Sequence, residues 1–156
     1  MLLIAGAAGA AAAAPYAVRL NTDRCAAIAS DKLAGLGPEW PALGAFAQRC
    51  SIPGPDGRIA LEVDIVRIDR ANKVGFFDAR ANMRVPMPVI RDLAGKVLGS
   101  LPDGLPVDPP GRLLVRFTEW HGGRPLTIRL YQAGESAIGP HALAPLRWDA
   151  RTGKYA

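Results

Sequence analysis

Apolar and polar residues alternate along two parts of the chain, and this period of two predicts β-hairpins. In the first part, Ile, Leu and Val alternate with small or acidic residues over 59–65, and a second alternating run covers 77–85. Pairing the two runs around Ala71 places Glu62 opposite Arg80, which is a favourable cross-strand pair. We therefore expect a first antiparallel hairpin that buries one of its faces.

A second hairpin is predicted over residues 111–132, where two alternating runs flank Gly122-Gly123. A two-residue hairpin turn needs positive φ at its central positions, and glycine adopts that conformation readily. The register set by this turn places Phe117 opposite Ile128 on the buried face. A short edge strand is also expected over residues 146–148.

Three other segments show the spacing of amphipathic helices, with apolar residues three or four positions apart. They cover residues 24–35, 38–50 and 89–101. Combined with the hairpins, they give the order helix, helix, strand, strand, helix, strand, strand. We therefore expect a single α+β domain over residues 22–156: two N-terminal helices, then an antiparallel β-β-α-β-β sheet with helices packed on one face.

Cys25 and Cys50 are the two cysteines of the chain. Two short helices joined by a short loop pack antiparallel, which places the start of the first beside the end of the second. A Cys25–Cys50 disulfide is therefore expected in an oxidising compartment, and two buried free thiols are the alternative. No CxxC pair occurs, so neither a redox motif nor a zinc knuckle is indicated.

The first 18 residues contain no charged side chain, and Arg19 is the first one in the chain. The apolar run is shorter than the roughly 20 residues of a transmembrane helix, and a buried core helix is the other alternative. Its length and its small residues favour a signal peptide over residues 1–13, cleaved near Ala13. A signal peptide normally begins with Lys or Arg, and their lack here leaves open whether Met1 is the true start.

The net charge of +5 comes from 15 Arg and 4 Lys against 14 acidic residues. The basic residues are scattered, with no block of the kind that binds nucleic acid, so we expect no nucleic-acid partner. A mildly basic surface is compatible with weak attraction to anionic surfaces. No transmembrane span is expected.

No catalytic, metal-binding or cofactor motif is recognisable in the sequence. Ser136 lies in GESAIG, which departs from the Gly-x-Ser-x-Gly pattern of a nucleophile elbow. His121 and His141 have no further metal ligands at a suitable spacing. Asp64 and Asp78 are candidates for a carboxylate pair on the outer sheet face, but such residues are more often solvated or paired with Arg. We expect no enzymatic activity and no cofactor.

One feature of the second hairpin requires an explanation. Its register places Arg116 directly opposite Arg129 on the outer face, where like charges destabilise a sheet. Acidic residues of the first hairpin, namely Glu62, Asp64 or Asp78, are the first candidates to neutralise the pair. The alternative is an anionic group supplied by a partner.

Aromatic residues are predicted to flank the two arginines on the same outer face. Aromatic side chains and arginine are both enriched at protein–protein interfaces. The predicted partner-binding residues are therefore Arg116, Arg129, Trp120, Tyr131 and Phe76.

Three functions are compatible with these patterns. The first is a non-enzymatic periplasmic or secreted domain, of accessory or inhibitor type, that binds an envelope protein through its open sheet face. The second is a carrier of a small ligand or lipid, with a pocket between the helix over 89–101 and the sheet, where Ala79 and Ala81 would leave space. The third is a hydrolase without a recognisable motif.

Overall fold

The described part of the protein is built from strands. A computed structural model describes residues 14–21, 24–28, 45–68, 88–102, 113–132 and 141–156. Within these ranges there is no α-helix. The strands are β1 (Val18–Arg19), β2 (Ala26–Ile28), β3 (Ala45–Pro53), β4 (Ile59–Ile68), β5 (Val89–Arg91), β6 (Val97–Ser100), β7 (Leu113–His121), β8 (Arg124–Gln132), β9 (His141–Ala142), β10 (Leu146–Asp149) and β11 (Lys154–Tyr155).

These strands form two sheets in which every described pair is antiparallel. The first sheet has the order β1-β7-β8-β10-β11, with β9 also pairing with β8. The second sheet has the order β2-β3-β4-β5-β6. The fold is therefore nearly all sheet, and the predicted α+β class is wrong.

Both sheets contribute to one hydrophobic core. From the second sheet come alternate residues of β3 and β4, such as Ile52 and Val63, and from the first sheet come Phe117 and Ile128. The two sheets also touch at one side, since a Cβ on Gly99 of β6 would lie 3.0 Å from the backbone oxygen of Tyr155 in β11. Two sheets that each bury one face against the other are a stable all-β arrangement.

The predicted second hairpin is confirmed in both its turn and its register. Gly122 and Gly123 have φ values of 56° and 75°, as a primed two-residue turn requires. Phe117 pairs with Ile128, as expected. The strand predicted over residues 146–148 is also present, as β10, but it is not an edge strand, because it pairs with both β8 and β11.

The predicted helix over 89–101 is wrong, because these residues form the β5–β6 hairpin. The Asp92 side chain accepts hydrogen bonds from the backbone N–H groups of Ala94 and Lys96, at 3.0 and 2.8 Å. Gly95 follows with a φ of 86°. Such an Asx turn with a left-handed glycine reverses the chain, and it leaves Leu93 of the predicted helical stripe 60% exposed.

The two predicted N-terminal helices are wrong wherever the structure describes them. Residues 26–28 form β2, and residues 45–50, placed in the second helix, belong to β3. The two strands pair directly, with Ala27 opposite Gln48. Alanine spacing is compatible with either element, and here pairing with β4 along nine residues of β3 determines the outcome.

The predicted Cys25–Cys50 disulfide is confirmed, although the helices that motivated it are absent. Ala26 pairs with Arg49, so the same antiparallel register places Cys25 opposite Cys50. Their Cα atoms are 4.3 Å apart, a spacing close to that of a non-hydrogen-bonded antiparallel pair. The disulfide thus links β3 to the residue that immediately precedes β2.

In the first predicted hairpin the strand over 59–65 is confirmed, but the pairing of Glu62 with Arg80 is wrong, because Glu62 pairs with Ser51 and Arg91. Residues 59–65 lie in β4, but β4 pairs with β3 and β5. The partner run over 77–85, with Ala71, Phe76, Asp78 and Arg80, lies outside the described residues. The proposed signal peptide over residues 1–13 lies outside them as well.

Candidate anion-binding face of the first sheet

Three arginines form a row across adjacent strands of the first sheet. Arg19 of β1 pairs with Arg116 of β7, and Arg116 pairs with Arg129 of β8. All three side chains are exposed, whereas Phe117 and Ile128, the next pair of β7 and β8, are fully buried. Alternation along the strands therefore presents the arginines on the face opposite the core.

A fourth arginine extends this row on the next strand. Arg147 of β10 pairs with Thr127 of β8 and is exposed. Thr127 lies two residues from Arg129, and residues two apart on a strand share a face. Arg147 is therefore the diagonal neighbour of Arg129. We call Arg19, Arg116, Arg129 and Arg147 the arginine row.

Glu119 supplies the carboxylate that pairs with this row. Its Oε1 accepts a hydrogen bond from Arg129 Nη2 at 2.8 Å, and its Oε2 accepts one from Thr127 Oγ1 at 2.6 Å. The hydrogen bond from Thr127, followed by that from Arg129, lowers the pKa of Glu119 below its ordinary value. The ionised form of Glu119 is thus stabilised by Thr127 and Arg129, with a smaller contribution from the charge of Arg147.

The backbone of Glu119 has an unusual conformation, with φ at 56°. Residues other than glycine adopt positive φ only when their surroundings stabilise it, because the conformation costs about 1–2 kcal/mol. Strict alternation along β7 would place residue 119 on the same face as Val115 and Phe117, which are buried. The positive φ instead lets the carboxylate reach Arg129 and Thr127 on the other face.

Within the described ranges, no carboxylate forms an ion pair with Arg19, Arg116 or Arg147, although the charge of Arg147 contributes to the lowered pKa of Glu119. Arg116 does contact an aromatic ring, with its guanidinium carbon 5.8 Å from the ring centre of Tyr131. The row therefore carries three positive charges that are not paired within this part of the protein.

The acidic residues expected to neutralise the arginine pair lie elsewhere. Asp64 accepts hydrogen bonds from Arg49 and Arg91, both on the second sheet, and Glu62 lies 3.6 Å from Arg49. That explanation is therefore wrong for Asp64 and Glu62, and Asp78 lies outside the described residues.

The five predicted partner-binding residues do not all lie together. The structure brings Arg116, Arg129 and Tyr131 together. Trp120 packs against the core, where its Nε1 donates a hydrogen bond to the backbone oxygen of Phe117 at 3.1 Å. Its ring also meets Tyr16 edge to face at 5.5 Å. Phe76 lies outside the described residues.

Sequence reasoning missed Arg19, Arg147 and Glu119. The two arginines join the row through the pairing of β1 with β7 and of β10 with β8, which no local pattern specifies. The position of Glu119 depends on its positive φ, for which the sequence carries no signal.

The two histidines lie at the surface of the described part of the protein. His121, at the hairpin turn, and His141, at the start of β9, are both exposed. No group of three or more His, Cys, Asp or Glu side chains suited to a metal ion occurs in the ranges that the structure covers. No helix in those ranges is long and apolar enough to cross a membrane.

Comparisons with known proteins identify no protein similar to this chain. No protein-family model matches the chain, and no curated protein or solved structure matches it either.

Proposed function

We propose that this protein is a non-enzymatic domain that binds a partner protein through the exposed face of its first sheet. The observation that carries the proposal is the in-register pair of Arg116 and Arg129, both exposed, of which only Arg129 has an ion-pair partner among the described residues. Directly opposed like charges destabilise a sheet. A partner that supplies anionic groups there would relieve this repulsion in the complex.

The neighbourhood of the pair supports a protein interface. Tyr131 contributes an aromatic ring beside Arg116, and Leu114, half-buried, pairs with Tyr131 across the hairpin. Arginine next to an aromatic ring on a flat, partly apolar face is a composition found in the energetic centres of protein interfaces. Strands on both sides hold these residues in place, which reduces the entropy lost on binding.

We further propose that the domain acts in the periplasm or after secretion, with an envelope protein as its partner. The disulfide supports an oxidising compartment, because such bonds are rare in the cytosol. Cleavage near Ala13 would leave Tyr16 in place, whose hydroxyl donates a hydrogen bond to the backbone oxygen of Pro53 at 3.0 Å. The intact mass of the exported protein, alkylated before and after reduction, tests the cleavage and the disulfide together.

The test of partner binding uses the double variant Arg116→Glu with Arg129→Glu. The matched control is Arg58→Glu with Arg151→Glu, which makes the same charge change at two exposed turn positions. Each tagged protein is mixed with an envelope extract, and any captured protein is purified and titrated against wild type and both variants. We expect wild type and control to bind it and the arginine-row variant to lose binding. Equal binding by a folded arginine-row variant would refute the proposal.

The carrier alternative is not retained, because the helix that would have covered its pocket is absent. Residues 89–91 and 97–100 are strands of the second sheet. The inward positions suggested for that pocket, Ala79 and Ala81, lie outside the described residues.

A further inference from the structure

We infer that the arginine row binds an extended acidic segment of the partner, with side-chain carboxylates on alternate residues. This inference rests on the proposed function and specifies the chemistry of the same face. The recognised groups would be carboxylates, and the arginines that bind them would be Arg19, Arg116 and Arg147.

The first argument is that the row already holds a carboxylate of its own chain. Glu119 receives one hydrogen bond from Arg129 and one from Thr127, although its backbone must adopt a positive φ to do so. These two hydrogen bonds show one way in which a carboxylate binds at this face. Arg129 is occupied by this internal group, and the remaining three arginines have no ion-pair partner among the described residues, so we infer that they bind carboxylates from outside.

The second argument is geometric. Neighbouring strands lie about 4.8 Å apart, and Arg147 is displaced by two residues, about 6.8 Å, along its strand, so Arg19 and Arg147 are about 16 Å apart at the backbone. Alternate residues of an extended peptide project to the same side about 6.8 Å apart, so three of them span about 14 Å. Three carboxylates in a Glu-x-Glu-x-Glu segment therefore equal these three arginines in number, and the long arginine side chains bridge the difference of about 2 Å in length.

The third argument is the type of cation. All four basic residues of the row are arginines, whose planar guanidinium groups bind carboxylates through paired hydrogen bonds. The ring of Tyr131 lies beside Arg116 and holds its guanidinium near the sheet. An orientated guanidinium loses less freedom on pairing than an unrestrained one.

The binding test uses two synthetic peptides of five residues with blocked ends. One has the sequence Glu-Ser-Glu-Ser-Glu, and in the other each Glu is replaced by Gln. Each peptide is titrated into isotope-labelled protein while the backbone and arginine Nε signals are followed by NMR. We expect the acidic peptide alone to shift the signals of Arg19, Arg116 and Arg147.

Variants of the row separate this site from general attraction to a basic protein. The double variant Arg116→Gln with Arg147→Gln should weaken binding of the acidic peptide about tenfold, because it removes two exposed ion pairs with the peptide. The control Arg58→Gln with Arg151→Gln should change it less than twofold. Glu119→Gln should strengthen binding about threefold, because it releases Arg129 for the peptide. Thermal unfolding of each variant verifies that the fold is retained.

The outcomes distinguish this inference from the proposed function. Equal shifts by the Glu and Gln peptides, or equal weakening by the control variant, would overturn the inference. So would arginine shifts caused by inorganic phosphate or by phosphatidylglycerol vesicles but not by the acidic peptide. If the captured partner still binds in an arginine-dependent manner, the proposed function stands while the acidic segment is rejected. If the wild-type protein binds neither the acidic peptide nor any captured partner, the inference and the proposed function are both rejected.

Discussion

Arg49 donates two hydrogen bonds to Asp64, from Nε at 2.7 Å and from Nη2 at 3.0 Å, and the Asp64 side chain is completely buried. Arg91, on the strand at the other side of β4, donates a third bond at 2.8 Å. The hydrogen bond to Asp64 is the largest contribution to the raised pKa of Arg49. Three neighbouring strands of the second sheet are thus joined by one buried carboxylate.

Replacing Asp64 by Asn should therefore destabilise the protein strongly. The variant loses the negative charge that compensates Arg49 and Arg91, and breaking a buried pair in this way costs about 3 kcal/mol or more. Urea unfolding of wild type and variant measures the change. The control is Glu62→Gln, whose carboxylate is 3.6 Å from Arg49 and partly exposed, and which should cost less than about 0.5 kcal/mol. Similar losses in both variants would contradict the assigned role of Asp64.

The disulfide should contribute a large part of the stability of the second sheet. Cys25 and Cys50 are 25 residues apart, and closing a loop of that size stabilises by about 3–4 kcal/mol in the chain-entropy model. Cys25→Ala, Cys50→Ala and the double variant should all lose this amount, because each change removes the same bond. Urea unfolding of the three variants, with reduced wild type beside them, measures the loss. A loss below 1 kcal/mol in all three would show that the bond matters little to folding.

The turn of the β7–β8 hairpin permits a clean test of backbone conformation. Gly122 and Gly123 both have positive φ, and a Cβ at either position would meet no atom within 4 Å. Gly123→Val should therefore destabilise by about 1–2 kcal/mol through φ alone. Gly122→Asn should be nearly neutral, because Asn-Gly is a preferred sequence for this turn. The Tm of each variant relative to wild type measures these effects. Equal changes in Tm would show that the turn is not of the primed type in solution.

The lowered pKa of Glu119 predicts a pH-dependent contribution to stability. A carboxylate whose pKa is lower in the folded state stabilises the fold above its unfolded pKa, here near 4.5, and this stabilisation is lost as the pH falls through the lowered value. Wild type should thus have a higher Tm than Glu119→Gln at pH 7. The difference should diminish below about pH 4.5. A difference that is constant from pH 7 to pH 3 would exclude ionisation of Glu119 as its cause.

The extent to which the sequence predicts this fold depends on how local the signals are. The β7–β8 hairpin is predicted with its register because two alternating runs and a Gly-Gly turn agree within 20 or so residues. The same register predicts the opposition of Arg116 and Arg129, which the structure confirms. Local patterns therefore suffice for the centre of the candidate site.

The helix predictions are wrong where apolar spacing fits two structures. Ile90, Leu98 and Leu101 are all buried, as one face of a helix would require. In the structure, however, Ile90 lies in β5, Leu98 lies in β6 and Leu101 follows β6. The deciding information lies in the Asp92–Gly95 turn. Asp and Gly are common turn residues, but the helical spacing of the neighbouring apolar residues favours the wrong element.

The rest of the candidate site depends on contacts between distant parts of the chain. Arg19 reaches the row because β1 pairs with β7, and Arg147 because β10 pairs with β8. Single-sequence periodicity shows that a segment is a strand, but it does not show which strand is its neighbour. Two of the four arginines, Arg19 and Arg147, therefore could not be placed in the row without the topology.

The place of β1 at an edge of the first sheet has a consequence for how the protein is made. Val18 pairs with Phe117, about 100 residues later in the chain, and pairings at such separation make folding slow. The other edge strand, β11, lies at the far end of the described chain. The first sheet therefore cannot be completed until synthesis has passed Tyr155. Until β9 and β10 have been made, the edge of β8 that they cover is unpaired, and an unpaired strand edge can pair with another chain.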